Sequence, residues 1–199
     1  MARIVDETKI ERIKEATIQM VVSKGVGGAS ISEIAHKAGV AEGYLYRHYS
    51  GKTELINDLL FTIMNEVLNE LQKLIDEQHP VDEIIEKVVR ILFDLANRNP
   101  ERIKFLYVLM NDYNFSIQKD QQERIFSLCK RVKVMGHAAG TVDSTLSEEE
   151  IYLLGVAYPI QFINLRLKSF FYQSQLGENE IKKVLHICLN SIKSKKNER

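Results

Sequence analysis

Between Ser30 and Leu55 the chain reads SISEIAHKAGVAEGYLYRHYSGKTEL and gathers hydroxyl, phenol and cationic groups in Ser30, Tyr44, Tyr46, Arg47, His48 and Lys52. Side chains of these types hold phosphate oxygens and touch base edges without making or breaking a covalent bond. Their spacing suits that use. Ile31, Ile34, Ala35 and Ala38 form an apolar stripe at helical spacing, Gly39 supplies the backbone freedom for a tight turn, and Val40 returns to a small core. In the next segment Leu45 and Tyr49 (i, i+4) face inward, leaving Glu42, Gly43, Tyr44 and Arg47 to face outward. Two short helices joined in this way make a helix-turn-helix, whose second helix enters a DNA major groove.

No other constellation competes. His36, His48, His79, His137 and His186 have no metal-ligand spacing, and His186 and Cys188 (i, i+2) lie on different helix faces. There is no Gly-rich phosphate loop and no nucleophile elbow. The Glu148-Glu149 pair fits helix-start electrostatics better than acid–base chemistry. The expectation is a protein that is not an enzyme and needs no metal or cofactor. Cys129 and Cys188 read as free, reduced core residues. Neither a leader nor an apolar run long enough to span a bilayer is seen, so the expected location is cytoplasmic, with no membrane partner.

The elements that must position the motif are all helices. The sequence holds only three prolines, and no alternating pattern is sustained. About nine helices are expected: 7–24, 30–38, 41–48, 52–78, 81–97, 100–112, 116–138, one from Ser147 to about 174, and 178–195. Ser30 with Glu33 and Ser147 with Glu150 have capping-box spacing. Leu55, Leu59, Ile63, Val67, Leu71 and Leu74 stripe the fourth helix, which at about 1.5 Å per residue is roughly 40 Å long. Net charge is zero. Residues 1–53 carry eight Lys/Arg against six Asp/Glu, a surplus that permits DNA binding without advertising it.

With Gly25, Ser30, Ile34-Ala35, Ala38-Gly39-Val40, Leu45-Tyr46, Tyr49, Lys52 and Glu54-Leu55 in this order, residues 9–60 resemble the head of the TetR family of transcriptional regulators. The resemblance implies an all-α fold: a three-helix DNA-binding head at 1–50 and an effector-binding and dimerisation body at 51–199. It implies phosphate contacts from Ser30, Tyr46, His48 and Lys52, and base-edge contacts from Ala41, Glu42, Gly43 and Tyr44. Ala41 departs from the usual hydroxyl cap, Glu42 stands where a cation is frequent, and Tyr44 is large for its place.

In the body, Phe93, Phe105, Tyr107, Met110, Tyr113, Phe126, Tyr158, Gln161, Phe162 and Asn164 could line a pocket for an aromatic or amphipathic effector, although aromatic stripes at helical spacing equally build a core. The stretch 151–172 is apolar on more than one face, and Phe170, Phe171 and Ile187 are candidates for a homodimer interface. The expected function is a sequence-specific regulator of double-stranded operator DNA, a repressor released by a small-molecule effector. The alternatives are a ligand-binding helical protein without DNA binding, and a constitutive DNA binder without an effector.

Overall fold

The computed structural model describes residues 7–193. Among them run α1 (Glu7–Gly28), α2 (Ile31–Ala38), α3 (Glu42–Leu45), α4 (Lys52–Asp76), α5 (Val81–Arg98), α6 (Pro100–Asn111) and α7 (Lys119–Ala138). Next comes α8, built from Glu148–Tyr152, a π turn at Leu153–Ala157 and Tyr158–Leu167 without a break, and last α9 (Glu178–Ile192). The only strand-like pairing among the described residues is one bridge between Val142 and Lys193. The basic tail at 194–199 lies outside the described residues.

The chain forms two compact units, one of residues up to Ile63 with Lys104–Ile117, the other of Met64–Ile103 with residues from Gln118 onward. α4 and α6 each run from one unit into the other. In the first unit Ile13, Val21, Ile34, Ala35, Ala38, Leu45 and Leu55 are all buried. α1 runs past the expected stop at 24 and kinks at Gly25, whose φ of 72° is open to glycine and strained for other residues. Gly39 (φ 65°) ends α2 in the left-handed conformation, and the Val40 N–H closes the turn on the Ala35 carbonyl at 3.0 Å.

In the second unit α5 buries Ile84, Val88, Val89, Leu92 and Phe93, and packs against α7, α8 and α9. Arg90 ties α5 to the start of α9 through two hydrogen bonds to the Glu178 carboxylate, 2.8 and 2.9 Å, and a third to Glu86 at 2.7 Å. Gly136 is held small, because a Cβ there would lie 2.7 Å from Val142 Cβ. At Ser147 the capping box is complete: the Glu150 N–H donates to the Ser147 hydroxyl, and the Ser147 N–H to the Glu150 carboxylate.

α8 differs from the continuous helix expected over 147–174, and Pro159 explains why. A proline inside a helix lacks an N–H and crowds the carbonyl four residues back. Here the π turn shifts the pattern, so that the Tyr158 N–H donates to the Leu153 carbonyl. In that pattern the Leu154 carbonyl would look to residue 159, and a proline there has no N–H to offer. The Cys188 thiol on α9 fills the gap, 3.0 Å from that oxygen. Burial pushes this thiol up to about 11. α8 ends at Leu167, and the residues after it turn through Ser169 (φ 48°) and Tyr172 (φ 59°).

Candidate DNA-binding surface and ligand cavities

α3 sits on a buried Leu45, the pivot that fixes which neighbours face solvent. Ala41 offers no side-chain cap, and the regular helix is shorter than the expected 41–48. Beyond Leu45 the chain continues in turns, with the His48 and Tyr49 N–H groups both donating to the Leu45 carbonyl at 2.9 Å. Losing a hydroxyl cap costs a helix about 1 kcal/mol, in keeping with so short an element. Glu42, Gly43, Tyr46, Arg47 and His48 are exposed.

Tyr44 is only half-exposed, leaning on His48 (ring centroids 4.9 Å apart) with the Lys9 ammonium of α1 5.8 Å from its ring centre. It is therefore partly engaged with its own head rather than projecting fully toward a groove. Tyr49 is half-buried, and its hydroxyl donates to Asp58 at 3.0 Å. Burial and the Asp58 charge push that phenol above its ordinary range.

Two of the expected phosphate contacts have structural work. The Ser30 hydroxyl caps α2 by accepting the Glu33 N–H at 3.2 Å and donates to the Glu33 carboxylate at 3.1 Å. That carboxylate also pairs with Lys24, and both contacts hold it below its usual range. The Lys52 ammonium donates to the Val26 carbonyl at 2.7 Å and the Ala29 carbonyl at 2.8 Å. Two of its three N–H groups thus hold the end of α1 against the start of α4, leaving one to meet a phosphate. The exposed cations Lys37 and Arg47 were not among the expected contacts. Arg47 carries the readable signal, since its outward position follows from the burial of Leu45.

The ten residues expected around an effector divide between the two units. Phe105, Tyr107, Met110 and Tyr113 belong to the first unit and the other six to the second. Phe93 and Phe105 are fully buried core residues, Tyr113 is fully exposed, and Phe126 is more than half exposed. Tyr107, Tyr158 and Gln161 are half-buried, Met110 is exposed and Asn164 is buried. Phe93 and Phe162 pack together with ring centres 6.2 Å apart.

The second unit contains a cavity of about 40 Å³ walled by Leu71, Val88, Cys129, Ile151, Tyr152 and other apolar groups, none of them among those ten. Burial raises the Cys129 thiol there to about 11 and also lifts the Tyr152 phenol. Both stay neutral near pH 7. A larger hollow of about 310 Å³ lies in the same unit beside Phe162, Leu165, Arg166, Phe171 and Gln173. Among the described residues, no three His, Cys, Asp or Glu side chains are placed to hold a metal ion. No described helix is long and apolar enough to cross a membrane.

Fold and head together define a helix-turn-helix protein with a helical second unit. Residues 13–59 match the family model described as bacterial regulatory proteins, tetR family. The whole fold resembles a TetR family transcription regulator from Marinobacter aquaeolei (TM-score 0.76, 18% identity, covering 96% of this chain and 98% of that one). It also resembles FadR from Bacillus subtilis, solved in complex with stearoyl-CoA (TM-score 0.72, 16% identity, 92% and 99% covered). Residues 13–59 thus carry a TetR-family helix-turn-helix head, on a chain whose fold is that of the solved TetR regulators.

Among curated relatives, it is 26% identical over 125 residues to the nucleoid occlusion factor SlmA of Vibrio vulnificus, covering 62% of each chain. It is 34% identical over 101 residues to the uncharacterized HTH-type transcriptional regulator YvdT of Bacillus subtilis, covering 51% of this chain and 50% of that one. The chain thus spans between half and two thirds of the length of these relatives.

Proposed function

We propose that this chain is a cytoplasmic, sequence-specific regulator of double-stranded operator DNA, a repressor released by a small-molecule effector. The observation that carries the reading is the exposure of Tyr46, Arg47 and His48 around a buried Leu45, directly after the turn at Gly39. Phenol, guanidinium and imidazole so placed suit phosphate contacts, and Ala41, Glu42, Gly43 and Tyr44 stand at the start of the inserted helix. Ser30 and Lys52 contribute to the same face while holding the head together.

The chain works as a homodimer, because two heads read a two-fold operator. Phe170 and Ile187, which are 64% and 45% exposed, supply apolar surface for that interface. Functionally, residues 1–50 read DNA and 51–199 sense the effector and dimerise. A change in the second unit reaches the head through α4 and α6, the helices shared between units. Release then requires that the effector bind the DNA-free state better than the DNA-bound one. The likeness to a FadR solved with stearoyl-CoA makes an acyl chain one effector to try. The 40 Å³ cavity would have to open for it, since drug-sized ligands occupy about 300–1,000 Å³.

Fluorescence anisotropy with DNA from upstream of the protein's own gene tests this reading across a salt series. Tight binding that weakens steeply with salt is expected, and Tyr46→Ala with Arg47→Ala should abolish it while leaving the helical circular dichroism intact. No binding there, together with no enrichment from a random-sequence selection, would leave a ligand-binding protein as the better reading.

A further inference from the structure

We propose that the hollow between the end of α8 and the turn after it binds a small aromatic carboxylate. The Phe162 and Phe171 rings and the Leu165 side chain give it apolar walls, and Arg166 supplies its charge. At about 310 Å³ it lies at the lower end of the range for ligand pockets, suited to a single ring with a short side chain.

Arg166 is placed for anion recognition. Its side chain is 13% exposed, and its guanidinium lies 5.1 Å from the centre of the Phe162 ring, a stacking that orients the planar fork. The nearest acid is Glu180, itself buried, but its oxygen is 3.8 Å from the guanidinium, beyond hydrogen-bond distance. Glu180 meanwhile accepts the Gly177 N–H at 3.2 Å and has Lys183 at 3.8 Å. Two cations thus share one carboxylate.

The hydrogen bond that Arg166 does make goes to the side-chain oxygen of Gln173, a residue on the exposed turn. A neutral amide oxygen here stands where a ligand carboxylate would sit, and a carboxylate is the stronger, bidentate acceptor for a guanidinium. The ligand would displace Gln173, lay its ring between Phe162 and Phe171, and leave Glu180 in its cap. The site is distinct from the 40 Å³ cavity, and its occupancy is independent of whether the head binds DNA.

Isothermal titration of the full chain, without DNA, with 3-phenylpropionate and its neutral amide 3-phenylpropanamide tests the site. The acid should bind at least ten-fold more tightly than the amide, and Arg166→Gln should bring the acid down to the level of the amide. Gln173→Ala, on the exposed turn, should fold normally and bind the acid as tightly as the parent or more so, because it removes the competing acceptor. No binding at millimolar acid, equal affinity for acid and amide, or weaker binding in Gln173→Ala would overturn the proposal. So would finding that Phe171→Ala dissociates a dimer whose parent ignores the acid, since a second copy would then fill the hollow.

Discussion

The head and the second unit use their polar side chains in opposite ways. Around α3 Tyr46 and Arg47 are exposed, while Ser30 and Lys52 serve helix ends and the Tyr49 hydroxyl ties to Asp58. In the second unit the long cations are tied to acids: Arg90 to Glu86 and Glu178, Arg131 to Asp76, Arg98 to Asp94, and Lys133 to Glu148. Its core closes down to about 40 Å³ beside Cys129 and Tyr152. The surface proposed to meet DNA is left open and solvated. The second unit is internally paired, and its core cavity would have to widen to admit anything larger than a methyl group or two, whereas the 310 Å³ hollow beside Arg166 would not.

The contrast can be broken most forcefully at Phe93, fully buried and packed on Phe162. Phe93→Ala should cost about 3–5 kcal/mol of stability by urea denaturation. If the division of labour holds, the protein that remains folded should keep its operator affinity. A smaller effect is expected at Lys52, where the two readings of the residue diverge. Lys52→Met removes two charge-assisted hydrogen bonds to the end of α1 and should destabilise the head by about 1.5–3 kcal/mol. A variant that melts like the parent but loses DNA would instead make Lys52 a phosphate contact alone.

The smallest effect is a shared one. Glu33, Asp76, Glu150 and Glu178 are all held below their ordinary range, chiefly by Lys24, Arg131, the Ser147 N–H and Arg90 respectively. A depressed carboxylate contributes stability that is complete above its unfolded-state value and is lost as pH falls through its folded one. The melting temperature should therefore decline as pH drops below about 4.5, the ordinary glutamate value. Because these carboxylates lie at the surface, added salt should flatten the decline.

Local features were the legible ones. The Gly39 turn, the burial of Leu45 and the Ser147–Glu150 box depend on neighbours within a few residues, so spacing alone reveals them. Lys52 was not legible, because the carbonyls it holds belong to Val26 and Ala29, far back in the chain. The surroundings of the expected effector residues were not legible for another reason. Aromatic character cannot say whether a ring is core like Phe105, fully exposed like Tyr113 or part of a hollow like Phe162. The helix expected from Ser147 to about 174 ran straight through Pro159, and since a π turn and a kink both relieve a proline, only the backbone distinguishes them.

The oxygen of Leu154 makes two distant letters of the sequence one inherited decision. While position 159 is proline and offers no N–H, position 188 supplies a donor to that oxygen, and alanine or valine there would take it away. With a residue at 159 that can donate, the oxygen has a second source. The two positions are therefore coupled: losing the thiol costs more beside the proline than it would without it.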